Sequence, residues 1–234
     1  MNQSNPTQDS HVFDAKLADG QNVQEFFEAH DLVTVTGFFR KKDLYDELAN
    51  EVLPSLDGNH RQDIRIWSAG CSDGRESYSI AMLCHHITRH RKFRRGFNVT
   101  GSDISRPQIE IAIKGLYELR KDEKLRLEGH TEYFKYLDDK QVIMGPELQR
   151  SVNFRVENIL DMHSETPFQI IVCTNVLLYY AAELKEKLIL HILNTLQMGG
   201  YLYVEAFGAR RMTQLGLSRI NPGSHFFQKT EKVI

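Results

Sequence analysis

At 234 residues, 41% hydrophobic and 26% charged, with a formal net charge of −2, the chain has the length and apolar content for one core domain with a small appendage. That balance excludes global disorder and an electrostatic claim on nucleic acid or anionic lipid. No apolar run approaches the roughly 20 residues a membrane span needs, and the opening MNQSNPTQDS is polar where a secretory signal is apolar. Cys71, Cys84 and Cys173 lack paired spacing, so a reduced, cytoplasmic protein without membrane insertion is expected.

In chain order, residues 1 to about 20 carry few apolar side chains and read as a tail. Helical spacing follows in QNVQEFFEAH and in KKDLYDELANEVLPSL, where Leu44, Leu48, Val52 and Leu53 mark one face. Residues 1–60 are therefore expected to form a tail and a short helical region ahead of a larger unit over 61–234. From Asp63, IRIWSAG is a short apolar run closed by small residues, and Ile80, Leu83, Cys84 and Ile87 recur at i, i+3, i+4 and i+7. That is strand, turn, helix. FNVTGSDIS repeats the arrangement, with a strand ending near Asp103 and a helix through Ile109 to Ile113, completing a βαβ unit.

Residues 116–150 are charged and short-patterned, and predict a helical stretch plus a small hairpin insertion. The alternation resumes with VNFRV, FQIIVCTNV, a helix carrying Leu184, Leu188, Ile192 and Leu196, a stop at Gly199-Gly200, and YLYVEAF. LSRINPGSHFFQKT closes the chain as two short runs about the turn Asn221-Pro222-Gly223. The pattern predicts an α/β fold: a mostly parallel open sheet with helices on both faces and a C-terminal antiparallel hairpin.

In such sheets ligands bind at the carboxyl ends of the strands, beside the first strand, where GCSDGRESYSIAM (residues 70–82) lies. Gly70 and Gly74 let backbone approach a ligand closely, and Asp103 at the next strand end is placed to accept ribose hydroxyls. Neither a dinucleotide nor a nucleoside triphosphate motif is present, which leaves a nucleoside without a long phosphate tail. Glu76 would repel a pyrophosphate and pair with an ammonium group, which favours S-adenosylmethionine. An ordinary tight strand-to-helix turn is the competing account of this stretch.

FFRKKDLYDELANEVLPSL, RIWSAGCSDGRESYSIAM, GSDISRPQIEIAIKGLY, RVENILD and FQIIVCTNVLLYYAAELKEKLILHILNTLQMGGYLYV, from about Thr34 to Tyr203, together resemble the catalytic domain of the bacterial chemotaxis receptor methyltransferases (CheR-type). The resemblance implies a Rossmann-like class I methyltransferase fold and transfer of a methyl group from S-adenosylmethionine to glutamate side chains on receptor cytoplasmic domains. The products would be a methyl ester and S-adenosylhomocysteine. It also implies roles. Thr34, Thr36 and Arg40 would contact the cofactor, together with Gly70 of the turn, and Arg40 would orient the reacting carboxylate. Glu76 would hold the methionine amino group, Asp103 the ribose, Asn158 and Ile159 the adenine edge, and Thr174 with Asn175 the pocket floor, while Tyr179 matches the family's active-site tyrosine.

Departures from the family bear on substrate more than chemistry. Asp73, Arg75 and Ser77 replace the family's usual hydroxyl, acid and proline around Glu76, and Thr174 stands where an arginine is common. Only about 33 residues precede the threonine-arginine segment, and the insertion TEYFKYLDDKQVIM lacks glycines at its tip, so neither a full N-terminal receptor-binding domain nor tether-peptide binding is expected. Two alternatives stand beside the protein-glutamate methyltransferase: a catalytically weak S-adenosylmethionine-binding regulatory module, and a small-molecule methyltransferase. The run RHRKFRR, residues 89–95, reads as a solvated loop or as a docking patch for an acidic partner. His86 and His90 lie one helical turn apart, but the sequence offers them no evident third ligand, and no metal is expected.

Overall fold

The computed structural model describes residues 25–26, 36–57, 62–90 and 95–231. The expected tail, most of the expected helix in QNVQEFFEAH, Thr34, and Arg91, Lys92 and Arg94 of the basic run lie outside the described residues.

KKDLYDELANEVLPSL is helical but not uniformly so: α1 (Lys42–Glu47) passes through a π-helical turn, Leu48–Val52, into α2 (Leu53–Ser55). Leu44, Leu48, Val52 and Leu53 are all buried, so the face read from the sequence survives the widened turn. The core then alternates as expected: β1 (Ile64–Ala69), α3 (Arg75–His90), β2 (Phe97–Asp103) and α4 (Arg106–Lys114). The insertion comprises β3 (Leu116–Glu118), α5 (Lys121–Leu127), a 3-10 segment Glu128–Tyr133, β4 (Phe134–Tyr136), β5 (Gln141–Met144) and α6 (Pro146–Arg150). Its strands form a separate antiparallel sheet of order β3-β5-β4. The expected hairpin thus acquires a third strand, Leu116–Glu118, too short to show a period of its own.

After the insertion come β6 (Val152–Val156), β7 (Phe168–Cys173), α7 (Ala182–Thr195), β8 (Leu196–Val204), α8 (Ala209–Gln214), β9 (Leu217–Arg219) and β10 (Phe226–Lys229). The main sheet has order β6-β2-β1-β7-β8-β10-β9; its first five strands pair in parallel, and β10 runs antiparallel to both β8 and β9. Gly199 and Gly200 do not stop a helix. The helix ends at Thr195, and the glycines lie inside β8, where Phe168 pairs with Leu196 but Ile170 pairs with Tyr201, so the intervening residues loop out as a bulge.

Period-two alternation divides the core in two. Ile64 and Ile66 of β1, Ile170 and Val172 of β7, and Tyr201 and Tyr203 of β8 face α3 and the N-terminal helices. Trp67 and Ala69, Ile171 and Cys173, and Leu202 and Val204 pack on the other side against Leu188, Ile189 and Ile192 of α7. The strand order reverses between β2-β1 and β7-β8, which opens a crevice at the carboxyl ends of β1 and β7.

Candidate functional site

A cavity of about 290 Å³ occupies that crevice, at the lower end of the usual range for a ligand site. Every expected site residue among the described residues lines it: Thr36, Arg40, Gly70, Glu76, Asp103, Asn158, Ile159, Thr174, Asn175 and Tyr179. Sequence elements about 140 residues apart meet here: Gly70 to Tyr179 each close a strand or open the segment after one, and Thr36 and Arg40 join them from the segment that leads into α1.

The turn after β1 is tightly seated. Gly70 has φ +74°, and a Cβ there would lie 2.3 Å from the Val176 side chain. Its amide and that of Cys71 donate to the Ser102 carbonyl at 2.8 and 2.9 Å, tying the turn to the end of β2. The Ser72 amide donates to Asp103 Oδ2 at 2.8 Å and the Ser105 amide to Asp103 Oδ1 at 2.9 Å. Two fixed amides thus orient the Asp103 carboxylate, while burial raises its pKa.

Glu76, in the first turn of α3, is the electrostatic centre of the site. Ser68 Oγ donates to its Oε1 at 2.8 Å and Thr174 Oγ1 to its Oε2 at 2.6 Å. Burial nevertheless pushes its carboxyl up to about 7, against the lowering effect of these two hydroxyls and of Lys41. A carboxyl in that condition is stabilised by an arriving cation. Thr174, where the family often has arginine, therefore helps to hold Glu76.

Asn158 Oδ1 accepts from the Leu160 amide at 3.0 Å and caps a 3-10 turn, Ile159–Asp161, which fixes Asn158 and Ile159 at the cavity wall. Asn175 takes the left-handed region at φ 59°, which asparagine tolerates, and swings the chain from β7 into the 3-10 segment Val176–Tyr179. Tyr179 is half-buried; burial raises its phenol pKa and the nearby Arg40 lowers it, so the two groups sense each other.

The Arg40 segment is clasped by the insertion. The Phe38 amide donates to Glu123 Oε1 at 3.2 Å, Arg120 donates to the Thr36 carbonyl at 2.8 Å, and Arg126 to the Phe38 carbonyl at 3.2 Å. The Phe39 amide reaches Ser79 Oγ on α3 at 3.0 Å. Glu123 is fully buried and also faces Arg75 Nε at 3.5 Å and Arg120 Nε at 3.3 Å. Asp73, Arg75 and Ser77, the departures around Glu76, do not line the cavity. Arg75 instead pairs with Asp73 at 3.1 Å and lies over the Phe38 and Tyr117 rings, joining the turn to the insertion.

Several lining residues were not foreseen. Lys41 forms an ion pair with Glu205 at 2.6 Å across 164 residues of chain. Glu157 also lines the cavity, and its buried Oε2 has no hydrogen-bond partner among the described residues. A carboxylate with an unmet acceptor suits a ligand bearing donors. Together with Glu76 and Asp103, it makes the cavity fit a cationic nucleoside and oppose a polyphosphate.

Of the basic run, Arg95 is a structural pin, its guanidinium donating to the Gln62 and Leu56 carbonyls at 2.8 and 2.7 Å, and Arg89 pairs with Glu147 at 3.2 Å.

A family model described as CheR methyltransferase, SAM binding domain, matches residues 34–208. The chain is 34% identical over 175 residues to a chemotaxis protein methyltransferase of Listeria monocytogenes, covering 74% of this chain and 64% of the relative. It thus spans less than two thirds of that relative's length. A chemotaxis protein methyltransferase of Vibrio parahaemolyticus is 34% identical over 214 residues, covering 87% of this chain and 76% of the relative. Among solved structures, the magnesium protoporphyrin IX methyltransferase of Synechocystis with bound SAM aligns at 16% identity and a TM-score of 0.42, covering 88% of this chain and 87% of that one.

Proposed function

We propose, because this chain belongs to the CheR methyltransferase family, that it transfers a methyl group from its cofactor to glutamate side chains of a chemoreceptor-like protein, forming methyl esters in the cytoplasm. The cofactor is S-adenosylmethionine. The observation that carries the reading is the buried Glu76 carboxylate, held by two hydroxyls in the cavity that Arg40 and Tyr179 also line.

Glu76 pairs with the methionine ammonium, Asp103 accepts the ribose hydroxyls, and Asn158 and Ile159 meet the adenine edge. Thr174 and Asn175 form the floor, and Thr36 contacts the cofactor from the N-terminal side. When bound, the cofactor supplies an already activated sulfonium methyl. An acceptor glutamate is ionised at neutral pH, so the chain needs no strong general base. Its task is alignment, for which proximity and orientation can supply up to about 7–11 kcal/mol. Arg40 offers a two-pronged donor to the acceptor carboxylate, and the Tyr179 hydroxyl donates one bond that sets its direction.

One feature that would motivate a catalytically weak cofactor-binding module is the altered turn around Glu76. Asp73, Arg75 and Ser77 stand outside the cavity lining, which favours the enzyme. Incubation with labelled S-adenosylmethionine and receptor cytoplasmic fragments tests the reading. Base-labile label on glutamate is expected; cofactor binding without transfer favours the regulatory module, and base-stable label or transfer to a small molecule overturns the ester assignment.

A further inference from the structure

We propose that His86, His90 and Glu132 form a divalent-metal site, suited to zinc, that pins the insertion to helix α3. This does not depend on the methyltransferase reading. His86 and His90 stand one turn apart on α3, so their imidazoles share a face, with ring centroids 4.5 Å apart. The fold brings Glu132, from the 3-10 segment Glu128–Tyr133 of the insertion, to the same point. One ligand atom from each of the three residues lies within 4.8 Å of the others.

Zinc bonds of about 2.0–2.2 Å in tetrahedral geometry set ligand atoms about 3.3 Å apart, so closure requires small side-chain rotations. His90 and Glu132 are exposed, which leaves their side chains room to make them. His86 is partly buried, and its Nδ1 has no hydrogen-bond partner among the described residues. Arg89, which precedes His90 in the chain, is engaged by Glu147 at 3.2 Å. Two imidazoles and one carboxylate, with a fourth position left to water, match a zinc donor set better than a magnesium or calcium one. The pinned segment also carries His130, which stacks on Phe39 with centroids 4.4 Å apart, next to Arg40.

Calorimetric titration of the full chain with zinc chloride in a non-chelating buffer tests the site, with cobalt(II) absorption reporting coordination geometry. One saturable site is expected, with a four-coordinate cobalt spectrum and a zinc-dependent rise in Tm. His90→Gln and Glu132→Gln, both at exposed positions, should each weaken zinc by at least about tenfold and suppress the Tm rise. They should leave S-adenosylhomocysteine affinity unchanged. Absence of saturable binding, or zinc affinity that neither substitution alters, overturns the proposal.

Discussion

Replacing Glu76 by glutamine separates its cost in the free protein from its use in binding. Burial moves its carboxyl from 4.5 to about 7, corresponding to an upper figure of about 3 kcal/mol against the ionised form. The native state therefore holds this proton to higher pH than the unfolded chain does. Stability from this group is lost as pH rises from about 4.5 to about 7. Asp73 and Asp103, raised by burial, contribute with the same sign from lower pH, whereas His85 and His130, lowered by burial, contribute stability that is lost as pH falls. The difference between parent and Glu76→Gln cancels those shared terms. Urea unfolding without ligand should show the variant gaining on the parent between pH 5 and 8, by about 1–3 kcal/mol once the rearranged Ser68 and Thr174 bonds are allowed for. Calorimetry should show the reverse for S-adenosylhomocysteine: parent affinity falls by up to about tenfold per unit as pH drops below 7, and the variant binds weakly with a flat profile. A stability difference that does not change with pH, together with pH-independent parent binding, would refute the assignment of Glu76 as a buried partner for an ammonium.

Tyr179→Phe should lower turnover with little change in cofactor affinity, and Arg40→Ala should reduce both; initial-rate kinetics paired with calorimetry reads the two apart. Glu123→Ala should cost about 3–5 kcal/mol in urea unfolding, because it strands the Phe38 amide and leaves Arg75 and Arg120 without their buried partner. Its surviving folded fraction should also show faster hydrogen exchange at Phe38. Gly70→Ala should destabilise by about 1–3 kcal/mol through the left-handed backbone and the clash with Val176, and Val176→Ala should relieve the steric part, which a double-mutant cycle measures.

The chain order of strands and helices was legible because β1 and β7 are short apolar runs, β2 repeats the strand-turn-helix arrangement, and α3 and α7 carry clear helical stripes. The turn residues Gly70 and Glu76 and the strand-end Asp103 were legible for the same reason: their position beside those runs fixes what they face. Elements below the length of a period were not. Leu116–Glu118 has three residues, and α8 buries only Met212, so neither leaves a pattern. Gly199-Gly200 carries the local signal of a helix stop, but pairing of Leu196 with Phe168 draws the chain into the sheet earlier and turns the glycines into a bulge. Lys41 with Glu205, and Glu132 with His86 and His90, depend on tertiary contacts that no local spacing encodes. Asp73 and Arg75 read in the sequence only as departures from the family's turn; the role of Arg75 in joining that turn to the insertion through Glu123, Phe38 and Tyr117 depends on tertiary contacts.

A crystal structure with S-adenosylhomocysteine tests the central claim most directly. The account predicts the nucleoside in this cavity, its amino group within about 3.2 Å of Glu76, ribose hydroxyls on Asp103, and sulfur open toward Arg40 and Tyr179. A nucleoside bound elsewhere, or one whose sulfur faces away from both groups, would contradict it.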